Sequence, residues 1–132
     1  MLSLVASAGV FTEIRINALV GRTRPPTADW AGGAAGPAFP SGHTTAATLF
    51  ALSSAWILAT RVRAGWPRRA VWAGAAVYAA AVGWSRVWLG VHWPTDVIGG
   101  WLYGVAWFAG SIAVIFTLRR RSADRRAARS NA

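Results

Sequence analysis

The residues in this chain able to do chemistry are two histidines, one acid four places after the second of them, and a few arginines set in apolar surroundings. They fall in three stretches. The first is Arg24-Pro25, the second Pro40-Ser41-Gly42-His43, and the third runs from Ser85-Arg86 to His92-Trp93-Pro94-Thr95-Asp96. In the second stretch Ser41 suits a helix N-cap, Gly42 lets a ligand reach the backbone, and free N–H groups at a helix start attract an anion. In the third, a spacing of four predicts His92 and Asp96 on one helical face. The carboxylate then accepts a hydrogen bond from one ring nitrogen and leaves the other as a nucleophile. Pro94 fits the first turn of the following helix, and Asp96 fits the positive end of its dipole. Arg24 and Arg86, aimed at one cavity, form a fork for phosphate oxygens. Each residue also has a plainer reading: Ser41 as a simple cap, His43 as a satisfied interfacial histidine, Asp96 as a capping acid beside a bystander, the arginines as snorkelling side chains.

Membrane helices must position these residues. The chain has 132 residues, is 55% hydrophobic and carries nine tryptophans. Its net charge of +10 comes entirely from arginine, clustered beside apolar runs, a placement that orients a membrane protein rather than binding nucleic acid. With no cysteine, neither a disulfide framework nor a thiolate metal site is available. Charge-free runs cover Thr44 to Thr60, Ala70 to Ser85 and Val97 to Leu118. Extending the first two to Ser41–Arg61 and Arg69–Trp88 brings them to the roughly 20 residues a crossing needs. Trp66, Trp84, Trp88 and Trp93 then fall near interfacial depth.

Met1 to Thr12 is apolar but is interrupted by Glu13 and Arg15, so it reads as the tail end of a truncated span. A signal peptide is the weaker reading: Ala6-Ser7-Ala8 resembles a cleavage site, yet no basic segment precedes it. The expected fold is therefore an all-α membrane helical bundle, with three clear transmembrane helices and a partial N-terminal one. Small residues four apart, Ala76 with Ala80, Ala79 with Gly83 and Gly100 with Gly104, let helices approach closely, within the chain or against a packing partner or second copy. Gly21 to Pro40 reads as a solvent-side loop. Residues 1–118 form the membrane domain, and 119–132 a basic, disordered cytoplasmic tail.

Orientation follows from the arginines. Arg61, Arg63, Arg68 and Arg69 join the first two clear spans, and Arg119, Arg120, Arg121, Arg125, Arg126 and Arg129 follow the third. Two crossings separate the clusters, so both lie on one side, which the positive-inside rule makes cytoplasmic. His43, Ser85, Arg86, His92 and Asp96 then share the opposite, extracytoplasmic side.

The order and spacing of these motifs resemble the type 2 phosphatidic acid phosphatase superfamily. Its pattern is Lys-x6-Arg-Pro, then Pro-Ser-Gly-His, then Ser-Arg-x5-His-x3-Asp. The second and third elements are complete here, and the first retains Arg24-Pro25; the resemblance covers about residues 10 to 118. It implies a membrane phosphatase without metal or other cofactor, acting on a lipid phosphate or isoprenoid pyrophosphate. By that resemblance His92 attacks phosphorus, Asp96 orients it and His43 protonates the leaving oxygen. Arg24, Ser41, Gly42 and Arg86 hold the phosphoryl oxygens, and Ser85 adds a hydrogen bond. There are two departures. Asn17 stands at the lysine position, where Arg22 is expected to supply the lost charge. The chain also shows three spans and a partial one, against the six usual in membrane members. A lipid phosphotransferase, a soluble vanadate-holding haloperoxidase relative and a non-catalytic remnant are the competing readings.

Overall fold

In hydrocarbon a chain must satisfy every backbone N–H and C=O within itself, and the apolar runs here do so as helices. The computed structural model describes residues 2–130. It contains α1 (Leu2–Val20), α2 (Gly42–Ala59), α3 (Trp66–Trp88) and α4 (Pro94–Ser130), with one 3-10 turn at Thr27–Asp29. No strand is present among the described residues, so the all-α expectation stands. The expected loop from Gly21 to Pro40 is irregular apart from that short turn.

Helix lengths match a bilayer. At about 1.5 Å per residue, α2 spans about 27 Å and α3 about 35 Å, against a hydrocarbon core of about 30 Å. Two expectations are corrected. The N-terminal segment is not a partial span: α1 is 19 residues long, and Ser3–Val20 is apolar enough to cross a membrane, as is Pro94–Arg126. Glu13 and Arg15 do not break it, because Glu13 turns inward at 2% exposure while Arg15 faces outward. Nor does the chain lose order after Leu118. Helix α4 continues through Ser130, since Arg and Ala are strong helix formers and no Gly or Pro interrupts the run.

Helix α2 is the centre of the bundle and touches α1, α3 and α4. Its contact with α4 depends on the small residues expected to allow it. A Cβ on Gly100 would lie 2.9 Å from the Thr44 Cβ and 3.0 Å from the Ser41 carbonyl oxygen, and one on Gly104 would lie 2.8 Å from a Thr48 methyl. Gly83 accepts the Trp101 ring in the same way. Ala76 and Ala80 instead line, with Ala51, Trp72 and Trp101, an apolar groove of about 340 Å³.

Polar aromatic tips fix the remaining neighbours, as buried N–H and O–H groups must find acceptors. On α4, Trp107 Nε1 donates to the Val5 carbonyl (2.9 Å), the Tyr103 hydroxyl to Gly9 (2.9 Å) and Trp101 Nε1 to Ala79 (3.0 Å). As α4 is followed forward, its partners on α1 run backward, so those helices are antiparallel; Gly100 over Thr44 and Gly104 over Thr48 make α2 parallel to α4. The C-termini of α1 and α3 and the N-termini of α2 and α4 thus gather at one end. All three motifs lie there.

Candidate active site

The third motif folds around a helix cap rather than along a helix face. Helix α4 begins at Pro94, so His92 precedes it and only Asp96 lies in its first turn. Asp96 is fully buried, and its Oδ2 accepts the Trp93 backbone N–H at 2.9 Å, the return half of a capping box. The same Oδ2 lies 3.4 Å from His92 Nδ1, which has no closer hydrogen-bond partner. The expectation of a shared helical face is therefore corrected: the pair meets across a turn, where Gly90 adopts a φ of 70°. Histidine and carboxylate still face each other.

Arg24 reaches the other side of that imidazole. Its Nη1 lies 2.9 Å from His92 Nε2 and also donates to the Val91 carbonyl at 2.8 Å. An arginine can only donate, so Nε2 is the acceptor, and the neutral ring carries its proton on Nδ1, toward Asp96. The guanidinium is held in place by the loop carbonyls of Gly36 (2.9 Å), Ala35 (3.0 Å) and Pro37 (3.2 Å). Burial, and then the charge of Arg24, push the His92 pKa below the usual histidine range against an opposing pull from Asp96. Nε2 is thus kept unprotonated, with its lone pair turned to Arg24.

The second motif closes the site from α2. Ser41 precedes the helix and is fully buried; its backbone N–H donates to the Asp96 carbonyl at 3.0 Å, joining the second and third motifs directly. Its hydroxyl makes no capping bond, contrary to the N-cap expectation, and instead accepts from Thr44 Oγ1 at 3.0 Å. Gly42 opens α2. His43 is exposed beside it, within electrostatic reach of both Arg86 and Arg24. On α3, Arg86 spends its Nε on Ser85 Oγ (3.2 Å), and Ser85 in turn donates to the Val82 carbonyl (2.7 Å).

Two candidates do other work in this structure. Asn17 gives its amide to the carbonyls of Pro37 (3.2 Å) and Pro40 (3.1 Å), so it ties α1 to the loop before α2. Arg22 does not stand free as a substitute charge. Its Nη1 bonds Asp96 Oδ1 at 2.9 Å and Thr95 Oγ1 at 2.7 Å, forming an ion pair with a fully buried acid. Two contributors were not anticipated from sequence: the Trp93 N–H that holds Asp96, and Glu13, whose carboxyl packs against Gly42. The first carried a signal, since Trp93 and Asp96 have capping-box spacing; Glu13 carried only the oddity of an acid within an apolar run.

His92, Asp96, Arg24, Arg22, Ser41, Gly42, His43 and Arg86 therefore come from three helix ends and two loops to a single end of the bundle. Comparison with known proteins defines the class. The family model of the PAP2 superfamily matches residues 1–120, and the chain belongs to that superfamily. It is similar to the lipid A 1-phosphatase of Rhizobium johnstonii (34% identity over 119 residues, 81% of this chain and 44% of that protein). It is also similar to the undecaprenyl-diphosphatase of Sulfolobus acidocaldarius (39% over 71 residues, 50% of this chain and 28% of that one). Among solved structures, the PAP2-type phosphatidylglycerolphosphate phosphatase of Bacillus subtilis superposes with a TM-score of 0.71 at 30% identity, covering 82% of this chain and 54% of the other. The chain thus spans roughly a quarter to a half of the curated relatives it matches. It is an integral membrane protein of this helical fold.

Proposed function

We propose that this protein is a membrane phosphatase that hydrolyses a lipid phosphate or isoprenoid pyrophosphate through a phosphohistidine on His92. One observation carries the reading: the Arg24 guanidinium stands 2.9 Å from His92 Nε2, at the nitrogen that must meet phosphorus. In the reaction the Nε2 lone pair forms the N–P bond while the P–O bond to the lipid breaks, and His43 gives its proton to the leaving oxygen. Asp96 holds Nδ1–H and balances the charge that develops on the ring. Arg24 moves its hydrogen bond from Nε2 to a phosphoryl oxygen; with Arg86 and the free N–H groups at the start of α2 it meets the charge spread over three oxygens. Ser41 and Ser85 hold these groups in place, through Asp96 and Arg86 respectively. Water then attacks phosphorus, His43 takes its proton, and the N–P bond breaks to release phosphate and restore His92.

The arginine-rich ends of α2, α3 and α4 lie opposite this site, which supports an active site facing the extracytoplasmic side of the plasma or inner membrane. A substrate anchored by its own chains then reaches the site laterally, within the outer leaflet. Residues 1–118 carry the whole reaction, and the arginines after Leu118 remain cytoplasmic. The relatives named above suggest phosphatidylglycerophosphate and an isoprenoid diphosphate as substrates, and the family resemblance adds phosphatidic acid, each presented to purified protein in mixed micelles. Release of inorganic phosphate from at least one, unchanged by a chelator and blocked by orthovanadate, is the expected result. Abolition by the chelator, or no release from any of the three, contradicts the proposal.

A further inference from the structure

Glu13 is an acid that the mechanism above does not use. Its carboxyl oxygens lie 3.3 and 3.6 Å from the point where a Cβ on Gly42 would stand, beside the first residue of α2. That space adjoins the start of α2, whose free N–H groups attract an anion. The side chain is buried, at 2% exposure, and among the described residues neither a hydrogen-bond donor nor a cation meets it. Nearby cations are committed elsewhere: Arg15 faces outward, Arg22 pairs with Asp96, and Arg24 is held by loop carbonyls and His92. From α4, Tyr103 faces it with a hydroxyl already donated to Gly9; on α2, His43 is the next titratable group. A helix start often draws an acid as a cap, but no N–H of α2 donates to this one.

A carboxylate buried without a cation, next to a site for phosphate, is opposed both by lost hydration and by the charge of the ligand. The neutral acid escapes both penalties and carries an O–H to donate. We propose that Glu13 is a phosphate-binding residue which, as a neutral carboxylic acid, donates a hydrogen bond to a phosphoryl oxygen at the Gly42 end of α2. Asn17, with its amide spent on Pro37 and Pro40, cannot provide the donor expected from α1 at the lysine position; Glu13, one helical turn earlier, does so. Glu13 keeps its proton throughout, so no bond to it forms or breaks. Raising the pH until it ionises turns a donor into a repulsive charge and weakens binding.

The inference rests on the phosphatase reading, and its test separates the two. Orthovanadate binding is followed by tryptophan fluorescence for wild type, Glu13→Gln and Glu13→Ala, from about pH 6 to about pH 8, so that the anion's own ionisation cancels in the ratios. Glu13→Gln, a donor that cannot ionise, is expected to match wild type within about threefold at the acid end and to bind progressively better than wild type as pH rises. Glu13→Ala is expected to bind about tenfold more weakly at the acid end, the effect of one lost hydrogen bond. A Glu13→Gln to wild-type ratio that stays constant with pH, or a Glu13→Ala variant with wild-type affinity, overturns the assignment while leaving the phosphatase reading intact. A wild-type protein that binds no vanadate overturns both.

Discussion

Replacing His92 with alanine is expected to lower phosphate release by about 10⁴-fold or more, because His92 is the group that forms the bond to phosphorus in the proposed mechanism. The helical content should stay close to wild type and the melting temperature should fall only modestly, since the one short hydrogen bond of the imidazole is with Arg24 (2.9 Å), whose guanidinium is also held by the carbonyls of Gly36, Ala35, Pro37 and Val91. The wild-type pH profile carries a second signature. Protonation of His92 removes the attacking lone pair, so kcat/KM falls as pH drops through its pKa. Burial and the charge of Arg24 hold that pKa below the usual histidine range, so the acid limb belongs at lower pH than an ordinary histidine gives. Arg24→Ala removes one of those two influences and is expected to move the limb upward.

The same Arg24→Ala change is expected to cost about 10²- to 10³-fold in kcat, the usual effect of removing one preorganised donor from the developing charge. Lysine is expected to recover only a small part of this. A single ammonium can carry the charge but cannot also bind the carbonyls of Gly36, Ala35 and Pro37 that fix the guanidinium beside His92. Steady-state kinetics of Arg24→Ala and Arg24→Lys, read against their melting temperatures, separate lost catalysis from a loosened loop. Equal activity of Arg24→Ala and wild type would remove Arg24 from the site.

The membrane character and the class of fold were legible because they depend on long-range averages. Runs without charge, their lengths and the side on which arginines cluster all survive ignorance of detail. The gathering of the three motifs at one end was legible for the same reason, since an even number of crossings is a matter of counting. What was not legible depends on a single turn or a single partner. A spacing of four places two residues together on a helix, yet His92 stands outside α4, because Pro94 starts the helix and Trp93 caps it. Arg22 lies at the same end of the bundle as the other motif residues, but nothing in the sequence distinguishes an arginine reaching phosphate from one paired with Asp96. Asn17 occupies the lysine position and is held by two carbonyls of a loop whose path the sequence does not specify. Helix α1 is longer than the apolar run Met1 to Thr12 because Glu13 and Arg15 interrupt the sequence pattern but not the helix. One is sheltered by α2 and the other lies on the opposite face.

The most direct test is to trap the intermediate. Protein mixed with a lipid substrate labelled at the terminal phosphorus, quenched in alkali within the first turnovers and digested, should yield one labelled peptide. Mass spectrometry should place an acid-labile phosphoryl group on Nε2 of His92, with the label absent from His92→Ala. Turnover without any label on the protein, or label on His43 in place of His92, contradicts the account.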